Sequence, residues 1–381
     1  MIDKILMVQK VKGVGGSEIY FTQILPALIA RNIDVEFVSI RTNRDGKEPL
    51  KLIEQLRSKG VTVHDVVVKS VYRPSLIFKL HRLIKRGNYS IVHSHLIHAD
   101  FWIALVKLIF KNRFLHLSTK HGYKEEFMNQ HGFDTKKLNH DLYYRISKFS
   151  EKYIDHSFAV SAGLRQFFIE ANISSENKIG VMKHGFAVPQ VSSKSNDQFR
   201  YSKNQVVIVG RLIPLKGHEY LIRVIAEVEK QLGDIKLIIV GTDFGYQGYL
   251  EKLVKDLKLT NNVLFLGFKS DVTSYIANSD VLAVSSIAEG FGLTILEAFN
   301  CETPVISFDV PACNEVIEHD QTGILIKPFD IKQYANELIN LLSDTTIQNR
   351  LVKNGKIKLR EEFSLTRMTD DLIEKYQSLS C

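Results

Sequence analysis

The stretch SSIAEGFGLTILEAFNCETPVIS, residues 285–307, holds two glutamates eight positions apart, Glu289 and Glu297. Glu289 falls in a glycine turn, and Glu297 lies one turn into an apolar-periodic helix that must pack. A carboxylate offers two acceptor oxygens and no donor, so it suits two adjacent hydroxyls of a sugar or a ribose. The turn from Ala288 to Gly292 leads a buried strand, VLAVSS, into a helix beginning at Leu293. The backbone N–H groups of Phe291 through Thr294 have no partner within that helix, so its start suits an anion. Singly, Glu289 reads as a solvated turn residue and Glu297 as a loop cap. Together with the turn they point to an anion that carries hydroxyls.

Two further loops follow strands and carry matching chemistry. In VGRLIPLKGHEYLI, Arg211 and Lys216 precede a helix. Arg is suited to bidentate contact with a diphosphate and Lys to contact as a point charge. In KVKGVGGSE, Gly13, Gly15 and Gly16 let the backbone approach a phosphate at a helix start. Position 18 is Glu, so the G-x-G-x-x-G fingerprint of a nicotinamide-cofactor site fails. A tight strand–helix corner is the alternative account of the glycines.

Four histidines gather at strand ends. His93 and His95 alternate on SIVHSHL, with His98 and His121 nearby in sequence pattern. No common zinc spacing is present, so they are expected to line the cleft or to be satisfied internally, with no metal. The segment RPSLIFKLHRLIKRG, 73–87, repeats apolar residues at helical spacing and carries five cations. It reads either as a helix that lies on an anionic membrane or as a sheet-covering helix with a basic outer face.

These residues need positioning elements, and the chain supplies them in strict alternation. KILMVQK, DVEFVSI, VTVHDVVV, SIVHSH, FLHLSTKHG and HSFAVSA read as strands, mostly with helical spacers. FAVPQVSSKSNDQFRYSKN breaks the pattern as a polar linker, after which QVVIVGR, KLIIVG, NVLFLGF, VLAVSS and PVISFD restart it. The class is α/β, with two doubly wound parallel-sheet domains: residues 1–187, a linker over 188–203, and 204–364. A final helix, about 365–381, has no strand after it. Ligands bind such sheets at the C-terminal ends of their strands, so the chemistry is expected in a cleft between the two domains.

A length of 381 residues fits two domains, and the three scattered cysteines fit a reducing compartment. No secretory signal is evident, and the longest apolar stretch, FWIALVKLIF, is too short to span a bilayer. Residues 1–190 carry a net +12 and the remainder −4, for a total of +8. The basic half suggests an anionic partner. Nucleic acid is disfavoured, because the basic stretches lack aromatic interleaving.

The Glu289–Glu297 spacing within E-G-F-G-L-T-x-L-E-A resembles the E-x7-E signature of glycosyltransferase family 4. The G-G-S-E turn, V-G-R-x-x-x-x-K-G, the HSH strand end and T-K-H-G resemble the rest of that pattern over nearly the whole chain. The resemblance implies a retaining enzyme of GT-B fold: two Rossmann-like domains facing across a cleft, the last helix crossing back onto the first domain. It implies that Gly15 and Gly16 approach the donor phosphate or sugar and that His121 contacts the donor sugar near the reacting centre. Arg211 and Lys216 would hold the diphosphate. Glu289 would bind the transferred sugar and Glu297 the ribose, with Gly290, Phe291, Gly292, Leu293 and Thr294 around the anion. Gly267, Phe268 and Lys269 would lie near the base, and His93 and His95 would line the cleft near the acceptor.

The implied donor is a UDP- or GDP-linked sugar, with no metal or other cofactor. The implied acceptor is a glycan or lipid-linked hydroxyl in surface polysaccharide or lipopolysaccharide synthesis. A cytoplasmic protein is expected, with peripheral contact to an anionic inner membrane through the basic domain. The chain departs from the pattern at VMKHGFAV, where His184 stands in place of the usual Asn. A sugar-nucleotide epimerase of the same two-domain architecture is the alternative.

Overall fold

The computed structural model describes residues 4–11, 16–71, 73–187 and 197–380. Gly13 and Gly15 of the glycine turn, and 188–196 of the linker, lie outside the described residues.

The chain divides into two compact units. One comprises the chain up to Lys124, Asp134–Ala187 and the segment from Leu365 on; the other comprises Glu125–Phe133 and the stretch after residue 187 up to Ser364. Glu125–Phe133, placed by the sequence reading within the first domain, is thus counted with the second. The reason is local: Arg211 Nη1 donates to Glu125 Oε1 at 2.8 Å. Gly132, at φ +56°, also sits against the Ala288 and Ile287 side chains.

The first unit is built on seven strands: β1 (Ile5–Lys10), β2 (Val35–Thr42), β3 (Thr62–Val68), β4 (Ile91–His95), β5 (Leu115–Lys120), β6 (His156–Ala159) and β7 (Ile179–Val181). Their order is β3-β2-β1-β4-β5-β6-β7, and every pairing is parallel. Successive side chains point to opposite faces, and both faces are covered. Leu6, Val8, Val38 and Val92 face one core with Leu76, Leu80, Trp102 and Ile103. Ile5, Met7, Phe37 and Leu117 face the other, with Phe21 and Ile24 of the first helix. Met368, Leu372 and Tyr376 of the final helix, Leu365–Leu379, join that second core.

The second unit has six strands: β8 (Gln205–Val209), β9 (Lys236–Val240), β10 (Val263–Gly267), β11 (Val281–Val284), β12 (Val305–Phe308) and β13 (Ile324–Ile326). Their order is β10-β9-β8-β11-β12-β13, again parallel throughout. In each sheet the winding reverses once, between β1 and β4 and between β8 and β11. The loops that leave those four strands diverge and open a crevice, the usual ligand position in such sheets.

Candidate active site

In the second unit the loops leaving β8 and β11 are tied together. Ile287 N donates to the Leu215 carbonyl at 2.9 Å, and Ser285 Oγ donates to the Lys216 carbonyl at 3.2 Å. Gly217 makes this approach possible: at φ +63°, a Cβ there would fall 1.9 Å from the Ser285 carbonyl oxygen. Across the junction Lys216 Nζ donates to Glu289 Oε1 at 2.5 Å, and Ser286 Oγ donates to the same oxygen at 2.6 Å. Lys216, Ser286, Glu289 and Thr294 line a small cavity of about 10 Å³ here. Two residues assigned in sequence to different groups of one ligand, the diphosphate and the sugar, therefore contact each other. Ser286, whose hydroxyl joins them, was missed; it stands three residues before Glu289 in a run of serines with no pattern of its own.

Gly292, at φ +85°, opens the helix Leu293–Asn300 without any side-chain cap. No side chain therefore caps the backbone donors at this helix start. Glu297 is partly exposed, and burial of its surroundings pushes its carboxyl up to about 7. No described residue donates to it, so it is an acceptor held in reserve.

Arg211 is more exposed: its guanidinium pairs with Glu125 and lies 5.5 Å from the Phe244 ring centroid. Such an exposed pair holds a charge weakly and releases it readily. Gly267 ends β10 at φ +66°, its carbonyl accepting from Gly241 N at 3.0 Å, and Phe268 beyond it is 64% exposed. An exposed aromatic ring after a strand is a natural platform for a flat base.

In the first unit the histidines form an array at the C-terminal ends of β4 and β5. His95 Nδ1 bonds His121 Nε2 at 2.9 Å, and His121 Nδ1 bonds His184 Nε2 at 3.3 Å. The His95–His121 and His121–His184 ring pairs stack with centroids 5.2 Å apart, and Tyr20 packs against all three. Burial lowers the pKa of each, to about 4 for His184, so the array is neutral. A neutral imidazole has one donor and one acceptor, so the three rings pass hydrogen bonds in a single sense, which couples their tautomers to one another. His95 Nε2 is buried with no partner among the described residues.

Neither His93 nor His95 lines a cleft, since both are fully buried. His93 has Nδ1 bonded to Tyr376 Oη at 2.7 Å and Nε2 to Thr119 Oγ1 at 2.9 Å. It is a satisfied core histidine that joins the final helix to the sheet. His184, a departure from the expected Asn, is by contrast part of the array. Gly16 begins the first helix, and Glu18 in its first turn accepts from Gln9 Nε2 at 3.3 Å at the end of β1.

Beneath His121 lies a buried ionic cluster. Lys120 Nζ contacts Asp100 Oδ2 at 2.6 Å and Glu151 Oε2 at 3.1 Å. Ser94 and Ser118 donate to Asp100, and Ser157 and Ser174 donate to Glu151. The cluster fixes the end of β5, and with it the backbone that carries His121. Among the described residues no group of three or more His, Cys, Asp or Glu could hold a metal ion.

The helix Ser75–Gly87 covers its sheet: Leu76, Ile77, Leu80 and Ile84 are buried in the core. Its apolar face is not available to a bilayer, and only the basic outer face and Phe78, 57% exposed, meet solvent. No helix among the described residues is long and apolar enough to cross a membrane.

Residues 14–188 match the family model described as Glycosyltransferase Family 4, and residues 192–358 match the one described as Glycosyl transferases group 1. The chain is 24% identical over 379 residues to N-acetyl-alpha-D-glucosaminyl L-malate synthase of Bacillus anthracis, spanning 96% of this chain and 93% of that one. It is 24% identical over 359 residues to the capsular polysaccharide biosynthesis glycosyltransferase CapM of Staphylococcus aureus, spanning 91% and 90%. Among solved structures, Anabaena Alr3699/HepE in complex with UDP-glucose matches with a TM-score of 0.80 at 22% identity, over 98% of this chain and 99% of that one. At that identity the likeness speaks for the fold.

Proposed function

The chain is a glycosyltransferase of GT-B fold, its halves belonging to Glycosyltransferase Family 4 and Glycosyl transferases group 1; from that premise we propose that it moves a sugar, with retained anomeric configuration, from a nucleoside-diphosphate sugar to an acceptor hydroxyl. The observation that carries this is the Lys216–Glu289 contact beside the uncapped start of Leu293–Asn300. A diphosphate gains negative charge as it departs. Lys216, the 291–294 backbone donors and Arg211, freed from Glu125, stabilise that charge where it develops.

When Lys216 turns to the diphosphate, Glu289 is released to accept sugar hydroxyls. Glu297 accepts from the ribose diol, and Gly267 to Lys269 border the base. His121, held by His95 and His184, orients the sugar as it becomes oxocarbenium-like. Gly15 and Gly16 approach the donor. Among the described residues no carboxylate is set as a covalent nucleophile, and in the proposed route the leaving phosphate takes the acceptor's proton on the same face. The neutralising charge is assigned to protein groups and to no metal or cofactor.

HepE was solved with UDP-glucose, which supports a UDP-linked donor, and the capsular polysaccharide biosynthesis in CapM's name supports a role in surface polysaccharide synthesis, where the proposed acceptor is a glycan or lipid-linked hydroxyl. The basic outer face of Ser75–Gly87 supports an electrostatic contact with an anionic inner membrane surface from the cytoplasmic side.

The test is incubation with UDP- and GDP-sugars, with and without a glycan or lipid-linked acceptor, followed by NMR of the product's anomeric proton. Acceptor-dependent release of the nucleoside diphosphate with retained configuration is expected. An inverted product would refute retention, and a new sugar isomer formed without acceptor would make the protein an epimerase.

A further inference from the structure

A second polar constellation lies at the opposite end of the first sheet, where the strands begin. Lys4 precedes β1, Glu36 and His64 stand near the starts of β2 and β3, and Tyr89 precedes β4. Glu36 accepts from all three neighbours at 2.5 Å: Lys4 Nζ on Oε1, and His64 Nε2 and Tyr89 Oη on Oε2. Burial pushes its carboxyl up, but the bonds from His64, Lys4 and Tyr89 outweigh this and bring it down to about 2. Its charge is therefore fixed and already engaged.

Above this floor is a cavity of about 480 Å³ whose lining also includes Lys79, Arg82, Leu83, Arg86 and Gly87 of the helix Ser75–Gly87. Four cations face one engaged carboxylate there. Lys79 Nζ gives one bond to the Val67 carbonyl at 3.0 Å. Among the described residues, neither the Arg82 nor the Arg86 guanidinium has a hydrogen-bond or ion-pair partner. Gly87 keeps the floor in place, because a Cβ there would fall 2.2 Å from Tyr89 Cε2 and drive the ring off Glu36. Cations in a last helical turn also offset the helix dipole, which accounts for Lys85 and Arg86. It does not account for Lys79 and Arg82 lining the same concavity.

We propose that this cavity is a binding site for a phosphate ester, its oxyanion held by Arg82 and Arg86 with Lys79 alongside, and its carbon portion against Leu83. Paired guanidinium groups match phosphate geometry, and a concave wall with a few convergent charges is what a small ligand needs. The phosphate has two sources, a free phosphorylated metabolite or a lipid headgroup. The site does not rest on the transferase reading.

The experiment uses the full chain and two probes: glycerol phosphate by calorimetry, and flotation with phosphatidylglycerol vesicles against phosphatidylcholine vesicles. Binding of glycerol phosphate identifies a free ester; selective binding of phosphatidylglycerol vesicles alone identifies a headgroup. In either arm Arg82→Gln with Arg86→Gln should weaken binding by about tenfold or more. Arg73→Gln with Lys85→Gln, removing equal charge outside the lining, should change glycerol phosphate binding less than about twofold and weaken vesicle binding less than the lining pair does. Binding of neither probe, an undiminished double variant, or equal loss in the control pair would overturn the proposal. Nucleoside-diphosphate affinity in the same variants reports separately on the donor site and should be unchanged.

Discussion

Lys216 Nζ donates to Glu289 Oε1 at 2.5 Å, and each of the two side chains is largely shielded from water. The pair therefore acts as one device: the ligand that draws off the ammonium also frees the carboxylate. Lys216→Ala and Glu289→Ala should each lower kcat by about 100- to 1,000-fold. The double variant should be little worse than the poorer single variant, since the two residues share one function. Steady-state kinetics on the three variants checks this, and multiplicative losses would mean that they act separately.

Glu297 provides a pH signature. Its folded pKa is raised from the ordinary 4.5 to about 7. The stability tied to its protonated form is present below pH ~4.5 and lost as pH rises towards 7. Glu297→Gln should therefore stabilise the protein at pH 8 by up to about 3 kcal/mol and have little effect at pH 4. A ribose diol donating to the carboxylate lowers its pKa, so donor binding near pH 6 should release close to one proton. Calorimetry in buffers of different ionisation enthalpy measures that release; none would remove Glu297 from the donor site.

The histidine array works in the other direction. His95, His121 and His184 are held neutral by burial, while the unfolded chain takes up protons below about pH 6.5. Stability should be level above that pH and fall below it, by up to about 1.4 kcal/mol per pH unit for each histidine that stays neutral. His184→Asn should reduce that slope by about one proton in urea titrations across the range. An unchanged slope would mean that His184 titrates freely.

Lys120 holds two buried carboxylates, Asp100 and Glu151. Lys120→Met should destabilise the protein by about 3–5 kcal/mol, because it leaves two buried negative charges without their cation. Thermal unfolding at neutral pH reads the loss. A change below about 1 kcal/mol would show that the cluster does not anchor β5.

Much of this was legible in sequence because the signals were local. Alternating apolar strands and glycine turns located the switch-point loops and the cations and carboxylates on them. The three-residue edge strands β7 and β13 carry too short a pattern to register. Lys120 carries no signal of an ionic cluster at the end of the FLHLSTKHG strand, since its partners lie 20 and 31 positions away in sequence. His93 and His95 share an alternation yet differ in role, because the final helix brings Tyr376 to one of them and not the other. His184 was marked only as a departure; what it stacks against depends on a strand 63 residues earlier.

Calorimetric titration with UDP, GDP and ADP, comparing the wild type with Lys216→Ala and Glu297→Gln, tests the central claim most directly. The account predicts that at least one diphosphate binds once per chain and that both variants bind it at least about tenfold more weakly. Failure of every diphosphate to bind the wild type, or wild-type affinity in both variants, would contradict it.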